Sequence, residues 1–125
     1  SVVTNPLSGF LNCFDGSEVT SHGYNFSDDT TCNLTGTGDH QATGANPQLG
    51  ALADNGGPTS TLLPATTSPL VDAIPTASCS ADGASTISPL TDQRSLPRPA
   101  MAGCDIGSVE LQAPPEVVIQ PAFTG

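Results

Sequence analysis

The sequence predicts an all-β, loop-rich, disulfide-stapled fold, on three observations. Gly and Pro supply 13 and 12 of the 125 residues, too many breakers for long helices. Residues with β propensity come in short runs between turn signals. The cysteine count is four, an even number with no CxxC pair among them. Charged residues make up only 11% of the chain, too few for a charged disordered segment, and this length sets one domain as the expectation.

The elements follow in order. Val2-Val3 is a short β-prone piece ended by a Pro and Gly turn. Ser17-Glu18-Val19-Thr20 and Gly23-Tyr24-Asn25-Phe26 read as short strands, with Asp15-Gly16 and Asp28-Asp29 as turns. Residues 33–47 read as a polar loop, and Leu49 and Leu52 as apolar anchors after it. Asp54-Asn55-Gly56-Gly57-Pro58 is a strong turn, and Thr59 to Leu63 reads as a strand ending at Pro64. Leu70-Val71 is an apolar pair beside a tight turn, and residues 75–90 are loop around Cys79. Ala113-Pro114-Pro115 reads as a stiff extended linker. Glu116-Val117-Val118-Ile119-Gln120 follows, the most β-prone pentad of the chain, ended by Pro121. The division is therefore a body over 1–111 and a linker with β-prone tail over 112–125.

Charge bounds the partners. The net charge is −10 and the pI is about 4.1. A nucleic-acid backbone would be repelled, and no basic stripe offsets this. No apolar run approaches the ~18 residues needed to span a membrane, so no membrane insertion is expected. Arg94 and Arg98 are the only basic side chains apart from histidine, and both lie in the stretch from Asp92 to Glu110. An arginine carries five donors in a fixed fork, which suits it to tying carboxylates and carbonyls together. We therefore expect a structural ion pair of Arg94 with Asp105 or Glu110.

Cysteines 13, 32, 79 and 104 allow three pairings. Cys13–Cys32 and Cys79–Cys104 are favoured, because each closes a turn-rich segment and stabilises by roughly 3 kcal/mol on the chain-entropy model. Four cysteines with no Lys and abundant Ser, Thr and Pro fit an exported protein of the extracellular space or cell surface. A first residue other than Met fits a mature or processed product, or a fragment of something longer.

Four segments occur in an order that resembles one family. They are Gly23 to Cys32 (GYNFSDDTTC), Asn46 to Thr59 (NPQLGALADNGGPT), Ser68 to Ala73 (SPLVDA) and Asp92 to Glu110 (DQRSLPRPAMAGCDIGSVE). Together they resemble bacterial cell-surface proteins with a choice-of-anchor Q domain, over roughly residues 12–111. The resemblance implies a secreted protein built as a right-handed parallel β-helix, with this chain supplying the terminal rungs and the C-terminal cap. Ser108-Val109 stands where that family carries Ala-Phe, and no sorting signal follows Glu110.

The remaining chemistry is weak. Parallel β-helix enzymes cleave polysaccharides with clustered carboxylates, but Asp28-Asp29 sit in a turn and both arginines lie inside the cap motif. No catalysis is expected. His22 and His40 lack further zinc ligands, and no cofactor is expected. Asp15, Glu18, Asp28, Asp29, Asp39 and Asp54 are hard oxygen donors in loops, outside any known calcium-loop pattern, and leave a structural calcium as the minor alternative. Asn25 and Asn33 head N-x-Ser/Thr glycosylation patterns. The leading expectation is a structural subunit of a surface or filament, assembling with other copies of itself through the strand 116–120. A glycan- or host-binding adhesin module is the alternative, and a polysaccharide-degrading enzyme the third.

Overall fold

The computed structural model describes residues 1–4, 9–14, 19–79 and 91–115. Strands β1 (Val2–Val3), β2 (Phe26–Ser27) and β3 (His40–Gln41) form a parallel sheet in that order, with Val2, Phe26 and His40 in register. Phe26 is fully buried in the middle strand, and the His40 ring stacks on it at 5.1 Å. The turn into β2 needs a left-handed backbone at Gly23 and Tyr24. A Cβ on Gly23 would stand 2.5 Å from the Thr37 carbonyl oxygen, so only glycine fits there. The Asp39 carboxylate then joins the strands by accepting the amides of Asn25 and Gly36.

β4 (Leu49–Ala53) and β5 (Thr61–Pro64) form an antiparallel hairpin with an irregular register between Leu49 and Leu52. Its loop holds the Asp54–Pro58 turn, and the Asn55 side chain donates to the Thr61 carbonyl across it at 2.9 Å. The strand expected over Thr59–Leu63 begins two residues later, because Thr59 and Ser60 belong to this loop. Pro64 closes it at a strand end, where a missing N–H costs least. β6 (Ile74–Pro75) runs into a 3₁₀ turn over Thr76–Ser78 and pairs antiparallel with β7 (Gly103–Cys104).

One core joins the three sheets. It contains Tyr24, Phe26, Leu70, Ile74, Ile106 and the disulfide of Cys79 with Cys104. The second disulfide joins Cys13, in the β1–β2 connection, to Cys32, in the β2–β3 connection. Truncating Phe26 to alanine would cost about 3–5 kcal/mol, the usual value for a fully buried phenylalanine.

The expected parallel β-helix is not what the chain forms. Its sheets are one of three strands and two of two strands, and no closed or curled sheet is found among the described residues. The reason is local. The parallel strands are two residues long, and the segment from 46 to 75 folds back as a hairpin and turns instead of continuing the parallel ladder. The strand expected at Ser17–Thr20 lies partly outside the described residues, and Val19 and Thr20 are in no strand. That expected at Gly23–Phe26 is confined to Phe26–Ser27, because the left-handed Gly23 and Tyr24 precede it. The β-prone pentad Glu116–Gln120 lies outside the described residues.

Candidate functional site

The C-terminal segment and Asp72 build a largely buried clasp from four carboxylates and two arginines. Asp92 opens a tight turn: its Oδ1 accepts the amides of Arg94 at 2.7 Å and Leu96 at 3.0 Å. Its Oδ2 accepts the Glu110 amide at 3.0 Å and the Arg94 fork at 2.9 and 2.8 Å. Arg94 then reaches the carbonyls of Glu110 and Asn55. The second contact fastens the β4–β5 loop to the clasp. Gly57 makes that approach possible: a Cβ there would lie 2.7 Å from the Arg94 Cα. Arg98 donates to the carbonyls of Asp105 and Gly107 and lies 3.4 Å from Glu110 Oε2.

The carboxylates of Asp105 and Glu110 serve backbone amides. Asp105 accepts those of Asp72 at 2.8 Å and Leu111 at 2.6 Å. Glu110 accepts those of Ala100 at 3.0 Å and Asp105 at 2.9 Å. Asp72 returns the exchange by accepting the Gly103 amide at 2.7 Å. The expected pairing of Arg94 with Asp105 or Glu110 is therefore corrected. Arg94 pairs with Asp92, which is two residues away and forms a turn with it. Arg98 is the arginine that meets Glu110. The Asp-x-Arg spacing of Asp92 and Arg94 was the available signal for the first pair. Nothing in the sequence indicated that Asp105 would accept the Asp72 amide while Asp72 accepts that of Gly103.

The electrostatics follow from these donors. Burial opposes ionisation of Asp92, but the Glu110 amide, the Arg94 side chain and the Leu96 and Arg94 amides outweigh it and lower its pKa. Burial wins at Asp105 and Glu110 and raises both, against amide donors and the nearby Arg98. Chemically, the clasp stabilises loops. Its carboxylate oxygens are engaged by the chain's own amides and guanidinium groups.

Beside the clasp lies an open cleft of about 1070 Å³. Leu49, Leu70, Ile74, Ile106 and Val109 form apolar parts of its wall, and Val2 and Val3 of β1 line it too. Leu52 and Leu62 also line it. They are cross-strand partners in the hairpin, yet are 68% and 43% exposed. Arg98 contributes to the wall, and its buried Nε has no hydrogen-bond partner among the described residues.

The other predicted residues are dispersed. Asp28 and Asp29 accept hydrogen bonds from Asn12, Asp29 also from Thr31, and Asp54 from the Gly56 amide. Burial opposes ionisation of Asp29 and Asp39, but the protein donors on each hold their pKa values below the ordinary range. Asp15 and Glu18 lie outside the described residues. Among the described residues no group of three or more His, Cys, Asp or Glu is arranged to hold a metal ion. Asn25 spends its side-chain amide on Ser21, Gly23 and Asp39, whereas Asn33 is exposed. Phe10 and Phe14, on either side of Cys13, are 67% and 85% exposed.

Two disulfides are compatible with a secreted protein. No helix among the described residues is long and apolar enough to cross a membrane. No family model matches the chain, and no curated protein or solved structure is significantly similar to it.

Proposed function

We propose that this chain is an extracellular structural module, a surface or filament subunit that associates with neighbouring copies through strand and edge contacts. The observation that carries this reading is the distribution of side chains around the cleft. The charged groups beside it are engaged by the fold's own backbone, while exposed leucines and a sheet edge are left on its walls. Such a surface suits apolar and backbone contacts with another chain rather than bond cleavage. The motif resemblance to bacterial surface proteins supports the same location. Catalysis has no part in this reading.

Deletion of residues 113–125 is the test. The truncated chain is expected to keep its disulfides and its unfolding transition, and to lose the assemblies seen by size-exclusion chromatography and electron microscopy. Unchanged assembly overturns the role of the tail.

The alternative, an adhesin-type module that binds a surface glycan, draws on the exposed rings of Phe10 and Phe14. A glycan array separates the two: saturable binding that is lost in Phe14→Ala favours the adhesin. A reducing-sugar assay on polysaccharides addresses the enzymatic reading.

A further inference from the structure

The cleft has features that suit an extended peptide. Its walls come from the core and the hairpin, and the Leu52–Leu62 pair exposes apolar surface on it. β1 contributes Val2 and Val3 and is an edge of its sheet, with β2 on one side and no strand on the other among the described residues. An unpaired edge offers N–H and C=O groups in register for an added strand.

The chain carries a segment with matching chemistry. Val117, Val118 and Ile119 are β-branched and apolar on both faces of an extended strand, which suits burial on both sides. Glu116 and Gln120 flank them with acceptors. Gln112 is still bonded to the body through the carbonyls of Pro97 and Glu110, but Ala113, Pro114 and Pro115 are exposed. A Pro-Pro pair is stiff and extended. The ten residues from 116 to 125 reach up to ~33 Å when extended, enough to cross to a neighbour.

We propose that the cleft beside β1 receives residues 117–119 of a second copy, as a strand added head to tail. This deepens the assembly reading and rests on it. The contact is heterologous: each copy offers one tail and one cleft, so repetition gives an open chain.

Two full-length variants test it by complementation. Val118→Asp spoils the tail and leaves the cleft intact. Leu62→Asp spoils the cleft and leaves the tail intact, with Leu52→Asp as the substitute should Leu62→Asp misfold. Circular dichroism and nonreducing peptide mapping check the fold and both disulfides. Sedimentation velocity is expected to show assemblies for the natural chain and monomers for each variant alone. The equimolar mixture should contain a one-to-one dimer of twice the 12.5 kDa chain mass and nothing larger. If both variants assemble as the natural chain does, the cleft–tail contact is wrong while the assembly reading stands. If each is monomeric and the mixture stays monomeric, the contact is again wrong. If the natural chain is itself monomeric, both readings fall.

Discussion

The clasp and the hairpin invert the usual placement of side chains. In the clasp, Asp92, Arg98, Asp105 and Glu110 are all at most 6% exposed. In the hairpin, Leu52 and Leu62 face outward. Buried charge and exposed leucine are each the uncommon case, and each calls for a reason. The clasp has its reason within the chain. Its segments lack long strands, so carboxylates take over the work of a ladder by accepting amides that would otherwise be buried without partners. The hairpin has no such internal reason, and its leucines line the cleft. The contrast separates residues that hold the fold from the exposed leucines on which the proposed assembly would draw.

The strongest way to break this contrast is at Asp92. Asp92→Ala strands the amides of Arg94, Leu96 and Glu110 and the Arg94 guanidinium. We expect a loss on the order of 3–5 kcal/mol in urea unfolding, the range for breaking a buried charge pair. A loss under ~1 kcal/mol would mean that the clasp is ornamental.

Next is the disulfide beside the clasp. Replacing Cys79 and Cys104 by serine should cost roughly 3 kcal/mol from the 25-residue separation, plus the penalty of burying two hydroxyls. The same change at Cys13 and Cys32 should cost less, because Cys13 is only half-buried while Cys79 and Cys104 are 1% and 0% exposed. Equal midpoint shifts in the two double variants would contradict this ranking.

The pH profile sharpens it further. Asp105 and Glu110 have raised pKa values in the folded state, so the native chain binds their protons more tightly than the unfolded chain does. Their contribution is full below the unfolded carboxylate value of about 4 and is lost as pH rises through their folded values. Asp92, Asp29 and Asp39 are lowered and act oppositely. Their contribution is full above about 4 and is lost as pH falls through their folded values. Stability should therefore rise as pH drops from neutral into the mildly acidic range, then fall below about pH 4. Urea midpoints against pH read this, and Glu110→Gln should flatten the rise. A profile that falls steadily from pH 7 downward would contradict the burial assigned to Asp105 and Glu110.

The smallest expected effect is the most telling for the hairpin. Leu52→Asp or Leu62→Asp should change stability by no more than about 0.5 kcal/mol, as for other exposed positions, while association is lost.

Some of this was legible in the sequence. Scarce arginine between Asp92 and Glu110 pointed to a fastening role, and the short-loop cysteine pairings coincide with the two bridges present. The arginine partners were not legible. Choosing Asp92 for Arg94 depends on turn geometry, and pairing Arg98 with Glu110 depends on how the chain folds back at Gly107. The Asp54–Pro58 turn was readable, but its contact with Arg94 through Gly57 is tertiary. The motif order suggested a parallel β-helix, and a parallel pairing of β1, β2 and β3 is present. Strand length decided against it: two-residue strands carry almost no periodic signal, and the antiparallel pairing of β5 with β4 was hidden because Leu49 and Leu52 read as anchors, not as a strand.

The central claim is that the clasp holds the fold while the leucine-lined cleft makes contacts. Sedimentation velocity on the natural chain and on a Leu52→Asp/Leu62→Asp double variant, with urea unfolding run alongside, tests it most directly. The account predicts assemblies for the natural chain, monomers for the variant, and urea midpoints that nearly coincide. Identical sedimentation of the two proteins would contradict it.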